Sequence, residues 1–438
     1  MRTLVTIRPE EIPSTNEVAT KSFTVERAGL AVLGVLVGSI FLTIAATPPL
    51  VASEDPIGAA NMAYNDPDQF AWHLFAAVNR PARPGSRVAT WETWSEQAVV
   101  YEDPCKKPQW PGLDGPFSAH RSRLVVDLTN TIASQQLVAD DFNALTGDEN
   151  LQQVKLNRPF FNYVVDNDLW YQEGVIRKAS TQGIDFPSGA VVYKADWKEI
   201  SPEDKSRFQW RQIGRKQYNE ILGLGDSSGL GKAGGQATDS DEEESPTVLL
   251  GLSSFHIVSK ALDSWVWTTW NQADTLGRCD YIGCRDDFGV EPSYLPPNIE
   301  MGLPYAPTKL TPAARRILDE AGLDEVWHHY RLMGTQVTFT DHTGRPTLLG
   351  NVELEPGFGN TSSCMTCHAM ATLSAVATSL SFLKSMQPFE GFVGTPDPDW
   401  YYPAHTGSPV TPIVYQTDFM WELTETSSRV GSSCEPSS

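Results

Sequence analysis

The chain has 438 residues, and 33 Lys and Arg residues against 54 Asp and Glu residues give it a formal net charge of −21. Hydrophobic residues make up 40% of the chain and charged residues 20%, which is a globular composition and excludes a disordered or collagen-like protein. The negative charge argues against a nucleic-acid partner, because phosphate binding needs a basic surface.

An uncharged apolar stretch at residues 28–46 is the first predicted element. At about 1.5 Å per residue, a helix of this length roughly spans the ~30 Å hydrocarbon core of a bilayer. Lys21 and Arg27 precede it, so the positive-inside rule places residues 1–27 in the cytoplasm and the rest on the periplasmic side of a bacterial inner membrane. The stretch is longer than the apolar part of most signal peptides, so we favour an uncleaved anchor. Cleavage near residues 51–53 is the alternative, and it would release the exported part.

The exported part shows both helical and strand patterns. Residues 47–66 are predicted to be a linker, and the acidic, Gly- and Ser-rich residues 223–246 are predicted to be a flexible insert. Apolar spacing and capping residues predict helices at 68–79, within 119–180, at 312–333 and at 371–385. Aromatic and β-branched runs predict strands at 189–198, 247–258 and 265–270. Because these segments alternate without regular βαβ units, the predicted fold class is α+β.

One motif in the chain carries specific chemistry. Cys364-Met365-Thr366-Cys367-His368 is C-x-x-C-H, the attachment signature of c-type haem. Two thiols form thioethers with the vinyl groups of the porphyrin, a two-residue spacer lets both sulfurs reach one ring edge, and the adjacent His becomes the proximal ligand of the iron. The motif predicts one covalent haem c, with Cys364 and Cys367 as attachment residues and His368 as axial ligand.

Two other interpretations of the cysteine pair remain open. A zinc site would need a second Cys or His pair with similar spacing, and the chain has no second C-x-x-C. A thioredoxin-like redox pair would need a βαβ context, whereas residues 355–360 before the motif predict a turn. The exported topology agrees better with haem, since covalent c-type haem is made outside the cytoplasm.

The sixth position on a haem iron decides between electron transfer and catalysis. His256 and Met386 are the candidate sixth ligands. Met386 follows His368 by 18 residues and is able to fold back over the haem, although a core or surface Met is the more common case. His256 lies in an apolar run, where a hydrogen-bonded core His is more common than a ligand. The sequence assigns no catalytic residue.

The remaining cysteines are compatible with disulfides in an oxidising compartment. Cys279 and Cys284 enclose four residues that include a Gly, which favours a local bridge. Cys105 and Cys434 either pair across a long loop or stay free, because sequence does not fix connectivity.

The motif and several ordered stretches resemble a family of large, exported, mono-haem bacterial cytochromes c. The stretches that carry the resemblance are FAWHLFAAVN (70–79), LNRPFFNYVVDNDLWYQEG (156–174), DFPSGAVVYKADWKEI (185–200), GLSSFHIVSK (251–260), WVWTTW (265–270), GNTSSCMTCHAMA (359–371), SFLKSM (381–386) and TDFMW (417–421). The resemblance implies covalent haem at Cys364 and Cys367 with His368 on the iron. This chain departs from the family pattern at Ser259 and at residues 271–274, where the pattern carries His.

These observations predict a domain order. It comprises a cytoplasmic segment (1–27), an anchor or signal helix (28–46), a linker (47–66), a mixed α+β exported region (67–350) and a C-terminal, helical, cytochrome c-like haem-binding region (351–438). The first functional hypothesis is single-electron transfer with an unknown redox partner. The second is a peroxidase- or oxidoreductase-like haem enzyme with an open sixth position, and the third is a haem-based binding or sensor module.

Overall fold

An antiparallel sheet of eight strands organises the part of the chain that the structure describes. The structure, a computed structural model, describes residues 56–111, 120–121, 151–222, 246–298, 302, 304–305, 307–355, 362–374, 393–402, 412–430 and 434. The strands at 95–96, 151–156, 191–199, 247–259, 266–272 and 330–336 follow one another across it, with 120–121 paired to 151–156 and 210–214 paired to 247–259. Three further two-stranded sheets among the described residues lie outside it, formed by 284–285 with 294–295, 290–291 with 309–310 and 372–374 with 414–416.

The elements follow one another in this chain order. The α-helices are α1 (Pro56–Asn65), α2 (Pro67–Asn79), α3 (Gln97–Tyr101), α4 (Arg158–Asp166), α5 (Gln172–Thr181), α6 (Arg215–Leu222), α7 (Pro312–Glu320) and α8 (Cys364–Ala369). The strands are β1 (Ser95–Glu96), β2 (His120–Arg121), β3 (Leu151–Leu156), β4 (Val191–Glu199), β5 (Trp210–Gly214), β6 (Thr247–Ser259), β7 (Val266–Gln272), β8 (Cys284–Arg285), β9 (Val290–Glu291), β10 (Tyr294–Leu295), β11 (Lys309–Leu310), β12 (Tyr330–Gln336), β13 (Thr372–Ser374) and β14 (Val414–Gln416).

One face of the sheet, the aromatic face, packs against α2. Side chains alternate between the two faces of a strand, and directly paired residues share a face. Phe255 of β6 pairs with Trp270 of β7, and both contact Phe75 of α2, with ring centroids 6.0 Å and 4.4 Å away. Tyr193 of β4 extends the layer, stacked 5.0 Å from Phe255. All four rings are at most 1% exposed, so this face forms the larger core of the described residues.

The opposite face of the same strands, the motif face, packs against α8. Val258 and Trp267 pair with each other and belong to a second core, which includes Met365 of α8. The next row along the strands is polar, with Lys194 paired to His256 and His256 paired to Thr269. The motif helix therefore lies beside the boundary between an apolar and a polar part of one face.

Several predicted elements are confirmed. The mixed α+β class holds, with an antiparallel sheet and several helices. The helix predicted at 68–79 is α2, and the strands predicted at 189–198, 247–258 and 265–270 are β4, β6 and β7.

The helix predicted at 312–333 is wrong beyond Glu320. Gly322 has a left-handed φ of 69°, a conformation that ends helices, and residues from Tyr330 onwards form β12. Pairing with β7 outweighs the helical spacing there. The helix predicted at 371–385 is also wrong at residues 372–374, which pair with β14. The rest of that segment lies outside the described residues.

Other predictions fall wholly or partly outside the description. Residues 28–46 lie outside it, and so do residues 223–245 of the acidic insert. Within the described ranges, no helix combines the length and apolar character needed to cross a membrane. Residues 56–65 of the predicted linker form α1, since Pro56 begins a helix rather than extending a loop.

Two disulfides tie distant and local parts of the chain. Cys279 bonds to Cys284, and Cys105 bonds to Cys434 across 329 positions.

The second core joins residues from both sides of the predicted boundary at 350/351, so these two regions pack together.

Candidate functional site

The motif helix α8 is short, and its first turn is satisfied by side chains. Ser363 precedes it, and its Oγ accepts a hydrogen bond from the Thr366 backbone N–H at 3.3 Å. Gln336, the last residue of β12, accepts from the Met365 backbone N–H at 2.9 Å and donates to Ser363 Oγ at 2.7 Å. The sheet therefore fixes the helix that presents the cysteines.

The two spacer residues of the motif are more deeply buried than its cysteines. Met365 is 0% exposed and Thr366 is 1% exposed, with the Thr366 hydroxyl donating to the Gly394 carbonyl at 2.8 Å. Cys364 is half-buried, and its thiol donates to the Leu349 carbonyl at 3.3 Å; Cys367 is exposed, and neither cysteine is in a disulfide. The helix thus anchors through Met365 and Thr366, and both cysteines remain as thiols.

His368 is held in one tautomer by a backbone carbonyl. Its Nδ1 lies 2.7 Å from the carbonyl oxygen of Phe419. Because a carbonyl oxygen only accepts, Nδ1 carries the proton and donates it, and Nε2 keeps its lone pair. The ring also packs on Trp267 of β7, with centroids 4.4 Å apart. This is the arrangement that a metal-binding imidazole needs, with one nitrogen oriented by a hydrogen bond and the other available.

The protonation of the motif also suits a ligand. Burial lowers the pKa of His368 to about 4; the bond to Phe419 opposes this shift, and Lys194 and His256 reinforce it. The imidazole is therefore neutral at pH 7. Burial also raises the pKa of the Cys367 thiol to about 11 and that of Cys364 well above its usual range.

Protonated thiols argue against the redox interpretation of the cysteine pair. Catalytic C-x-x-C thiols have lowered pKa values, because the thiolate is the nucleophile. Both thiols here have raised values, with burial as the first cause and the negative charge of Glu355 as the second.

A charged cluster formed by Lys194, His256 and Glu355 lies next to the motif on the same face of the sheet. His256 Nε2 is 2.8 Å from Glu355 Oε1, and Lys194 Nζ is 3.7 Å from the same oxygen. The other carboxylate oxygen, Oε2, accepts from the Asn351 backbone N–H at 2.9 Å. Burial opposes ionisation of Glu355, but the charge and hydrogen bond of His256, with Lys194, outweigh it and lower the pKa to about 2. The carboxylate is ionised at any physiological pH.

Asn351 connects this cluster to the strands beneath it. Its side-chain amide donates to Thr269 Oγ1 and to Asn271 Oδ1, each at 2.9 Å, and its side-chain oxygen accepts from the Glu353 backbone N–H at 3.0 Å. Residues 351–355 are thereby fastened to the polar part of the motif face, and Glu355 is aimed at His256.

The structure places the predicted site residues as follows. Cys364, Cys367 and His368 lie on or next to one helical turn. His256 lies close enough for its charge to act on the pKa of His368, but its Nε2 is engaged by Glu355. Met386 lies outside the described residues. Within those residues, no three His, Cys, Asp or Glu side chains converge as a metal site.

Sequence reasoning missed the groups that surround the motif. The Phe419 carbonyl belongs to the backbone and leaves no signature in the sequence. Trp267 was contained in an aromatic strand, and Glu355 in a predicted turn.

No family model, no curated protein and no solved structure matches the chain.

Proposed function

We propose that the protein is an exported, mono-haem c-type cytochrome that transfers single electrons with a redox partner. The observation that carries the proposal is the pairing of C-x-x-C-H with the tautomer of His368, in which Nδ1–H donates to the Phe419 carbonyl and Nε2 is left to bind iron. When bound, the haem supplies a one-electron couple at its iron.

The residues present fit this group. Cys364 and Cys367 are both free thiols on α8, and they would carry the two thioether bonds. The four other cysteines of the chain are in disulfides and are not available for attachment. Trp267 packs on the ring of His368 and limits its rotation. An anchor at residues 28–46, if uncleaved, would hold the protein at the periplasmic side of the membrane.

The decisive test replaces the motif cysteines. Cys364→Ala with Cys367→Ala, produced together with haem-maturation machinery, is expected to show no haem stain on a denaturing gel, whereas the unmodified chain stains. The matched control is Cys279→Ala with Cys284→Ala, which removes a cysteine pair outside the motif and should keep the stain. Haem stain in the motif variant, or none in the unmodified chain, would overturn the proposal.

A second candidate function is a haem enzyme with an open sixth position. It is favoured by the His256–Glu355 pair, an acid–base pair whose imidazole Nε2 is engaged by a carboxylate rather than free to bind iron. Optical spectra with and without CO separate the two. Low-spin bands that CO leaves unchanged support electron transfer, and high-spin bands that shift with CO support the enzyme.

A further inference from the structure

The backbone that reaches His368 is conformationally unusual. Asp418 and Phe419 are consecutive non-glycine residues with left-handed φ angles of 52° and 70°. L-residues with side chains visit this region rarely, and it persists only where surrounding contacts enforce it. This two-residue turn is what directs the Phe419 carbonyl at His368 Nδ1.

The contacts that enforce the turn converge on the Asp418 carboxylate. Its Oδ1 accepts from Lys260 Nζ at 2.7 Å and from Trp265 Nε1 at 3.3 Å, and its Oδ2 accepts from the Phe186 backbone N–H at 2.7 Å. Asp418 is 9% exposed and Lys260 is 6% exposed. The positions of Asp418 and Lys260 are therefore tightly constrained, because a buried charge that loses its partner is left uncompensated away from water, which is strongly destabilising.

The turn is also fastened to the exit of the motif helix. Thr417 donates to the Ala371 carbonyl through both its backbone N–H, at 3.1 Å, and its hydroxyl, at 2.9 Å. The residue before Asp418 is therefore tied to the motif, and Asp418 itself is tied to the end of β6 and the start of β7. Phe419 is left with little freedom between these two attachments.

We infer that the Asp418–Lys260 ion pair is a positioning device, which holds the Phe419 carbonyl on His368 and so keeps Nε2 of the imidazole as the free, metal-binding nitrogen. The importance of that nitrogen rests on the proposed function. The positioning itself is a property of the polypeptide and is measurable without haem.

The test is the tautomer of His368 in the full chain lacking haem. Cys364→Ala with Cys367→Ala provides that background, and ¹⁵N-labelled histidine allows NMR assignment of the protonated ring nitrogen, with a His368→Gln chain identifying the resonance. The background chain should show the Nδ1–H form. Adding Asp418→Asn should lower the ratio of Nδ1–H to Nε2–H forms by about tenfold, the effect of losing a hydrogen bond worth about 1.4 kcal/mol.

Asp185→Asn is the matched control. Asp185 also contacts Lys260 Nζ, at 3.0 Å, but its side chain is 84% exposed, so its loss should leave the tautomer unchanged. An unchanged tautomer in folded Asp418→Asn, or an equal change in Asp185→Asn, would overturn the inference. If Asp418→Asn does not fold, Lys260→Gln provides the test, since the Gln amide still donates a hydrogen bond but no longer carries the positive charge of the ion pair. A wild-type tautomer in that variant would equally overturn the inference.

A second readout uses the haem-loaded chain. Asp418→Asn with both cysteines intact should keep its covalent haem stain and show a higher reduction potential, because an imidazole without its hydrogen bond donates less electron density to the oxidised iron. An unchanged potential would contradict the inference while leaving the proposed function intact. Absence of haem in the unmodified chain would refute the proposed function while leaving the tautomer measurement valid.

Discussion

The two faces of the central sheet are made by the same strands and have opposite character. On the aromatic face, Phe255 and Trp270 belong to a continuous layer of buried rings under α2. The residues next to them, His256 after Phe255 and Thr269 before Trp270, bond to Glu355 and Asn351 on the other face. The first face gains stability from apolar area, and the second positions charged and polar groups beside the motif. Alternation along a strand thus separates the structural role from the chemical one.

The difference also lies in what each face tolerates. A buried aromatic layer needs volume and shape, whereas buried polar groups need partners, since an unpaired one costs about 1–3 kcal/mol. Substitutions on the aromatic face should therefore change stability without changing the site. Substitutions on the motif face should change the site, and their effect on stability should depend on pH.

The largest expected effect is on the aromatic face. Trp270→Ala removes a ring that contacts Trp72 and Phe75 at centroid distances of 5.0 Å and 4.4 Å, and it should lower the free energy of unfolding by about 3–5 kcal/mol. Tyr294→Ala, at a side chain that is 53% exposed, should stay within about 0.5 kcal/mol. Urea unfolding followed by circular dichroism measures both. A change in the His368 tautomer in folded Trp270→Ala would break the separation of the two faces.

Asn351→Ala tests the polar part of the motif face. It leaves Thr269 and Asn271 without the amide that bridges them, and it should cost about 1–3 kcal/mol in the same unfolding measurement. Asn65→Ala removes an amide that bonds to the Asn61 carbonyl at an exposed helix end, and its effect should be below about 0.5 kcal/mol. Equal losses in the two variants would show that the 351–355 segment is not fastened as described.

A third effect, confined to acid pH, concerns Glu355. The pKa of Glu355 is lowered to about 2 in the folded chain, below the usual value near 4.5. Its contribution to stability is therefore present above about pH 4.5 and is lost as the pH falls towards 2. Glu355→Gln should remove about 1–3 kcal/mol of that pH dependence, measured by urea unfolding at pH 2–6.

Glu422 provides a control of opposite sign. Burial raises its pKa to about 7, so its contribution is present below its unfolded pKa and is lost as the pH rises through 7. The Glu422→Gln variant should therefore be more stable than the unmodified chain above pH 7. At pH 2–4 its free energy of unfolding should change with pH in the same way as that of the unmodified chain. The same response in both variants would show that burial alone, rather than the His256 partner, controls these carboxyl groups.

The sequence predicted those features that depend on local pattern. The strands β4, β6 and β7 follow from their β-branched and aromatic runs, and the motif residues from C-x-x-C-H spacing. The length of the helix at 312 was not predictable in the same way, because pairing between Tyr330 and Gln272 decides where the chain becomes a strand. Periodicity within a segment carries no information about a partner strand 58 positions earlier.

The surroundings of the site were also beyond sequence reasoning. The stretches GLSSFHIVSK (251–260) and TDFMW (417–421) are far apart in the sequence, and the structure joins them through Lys260 and Asp418. Long-range ion pairs and contacts to backbone carbonyls depend on tertiary packing, so neither residue type nor spacing predicts them. The engagement of His256 by Glu355 is of the same kind.

Phe419 follows His368 by 51 residues, and its carbonyl fixes the imidazole. The ring of His368 is therefore oriented only when a loop of 51 residues has closed. The motif helix alone does not set that orientation, so local unfolding around residues 417–420 would free the imidazole while leaving the helix and its two cysteines in place.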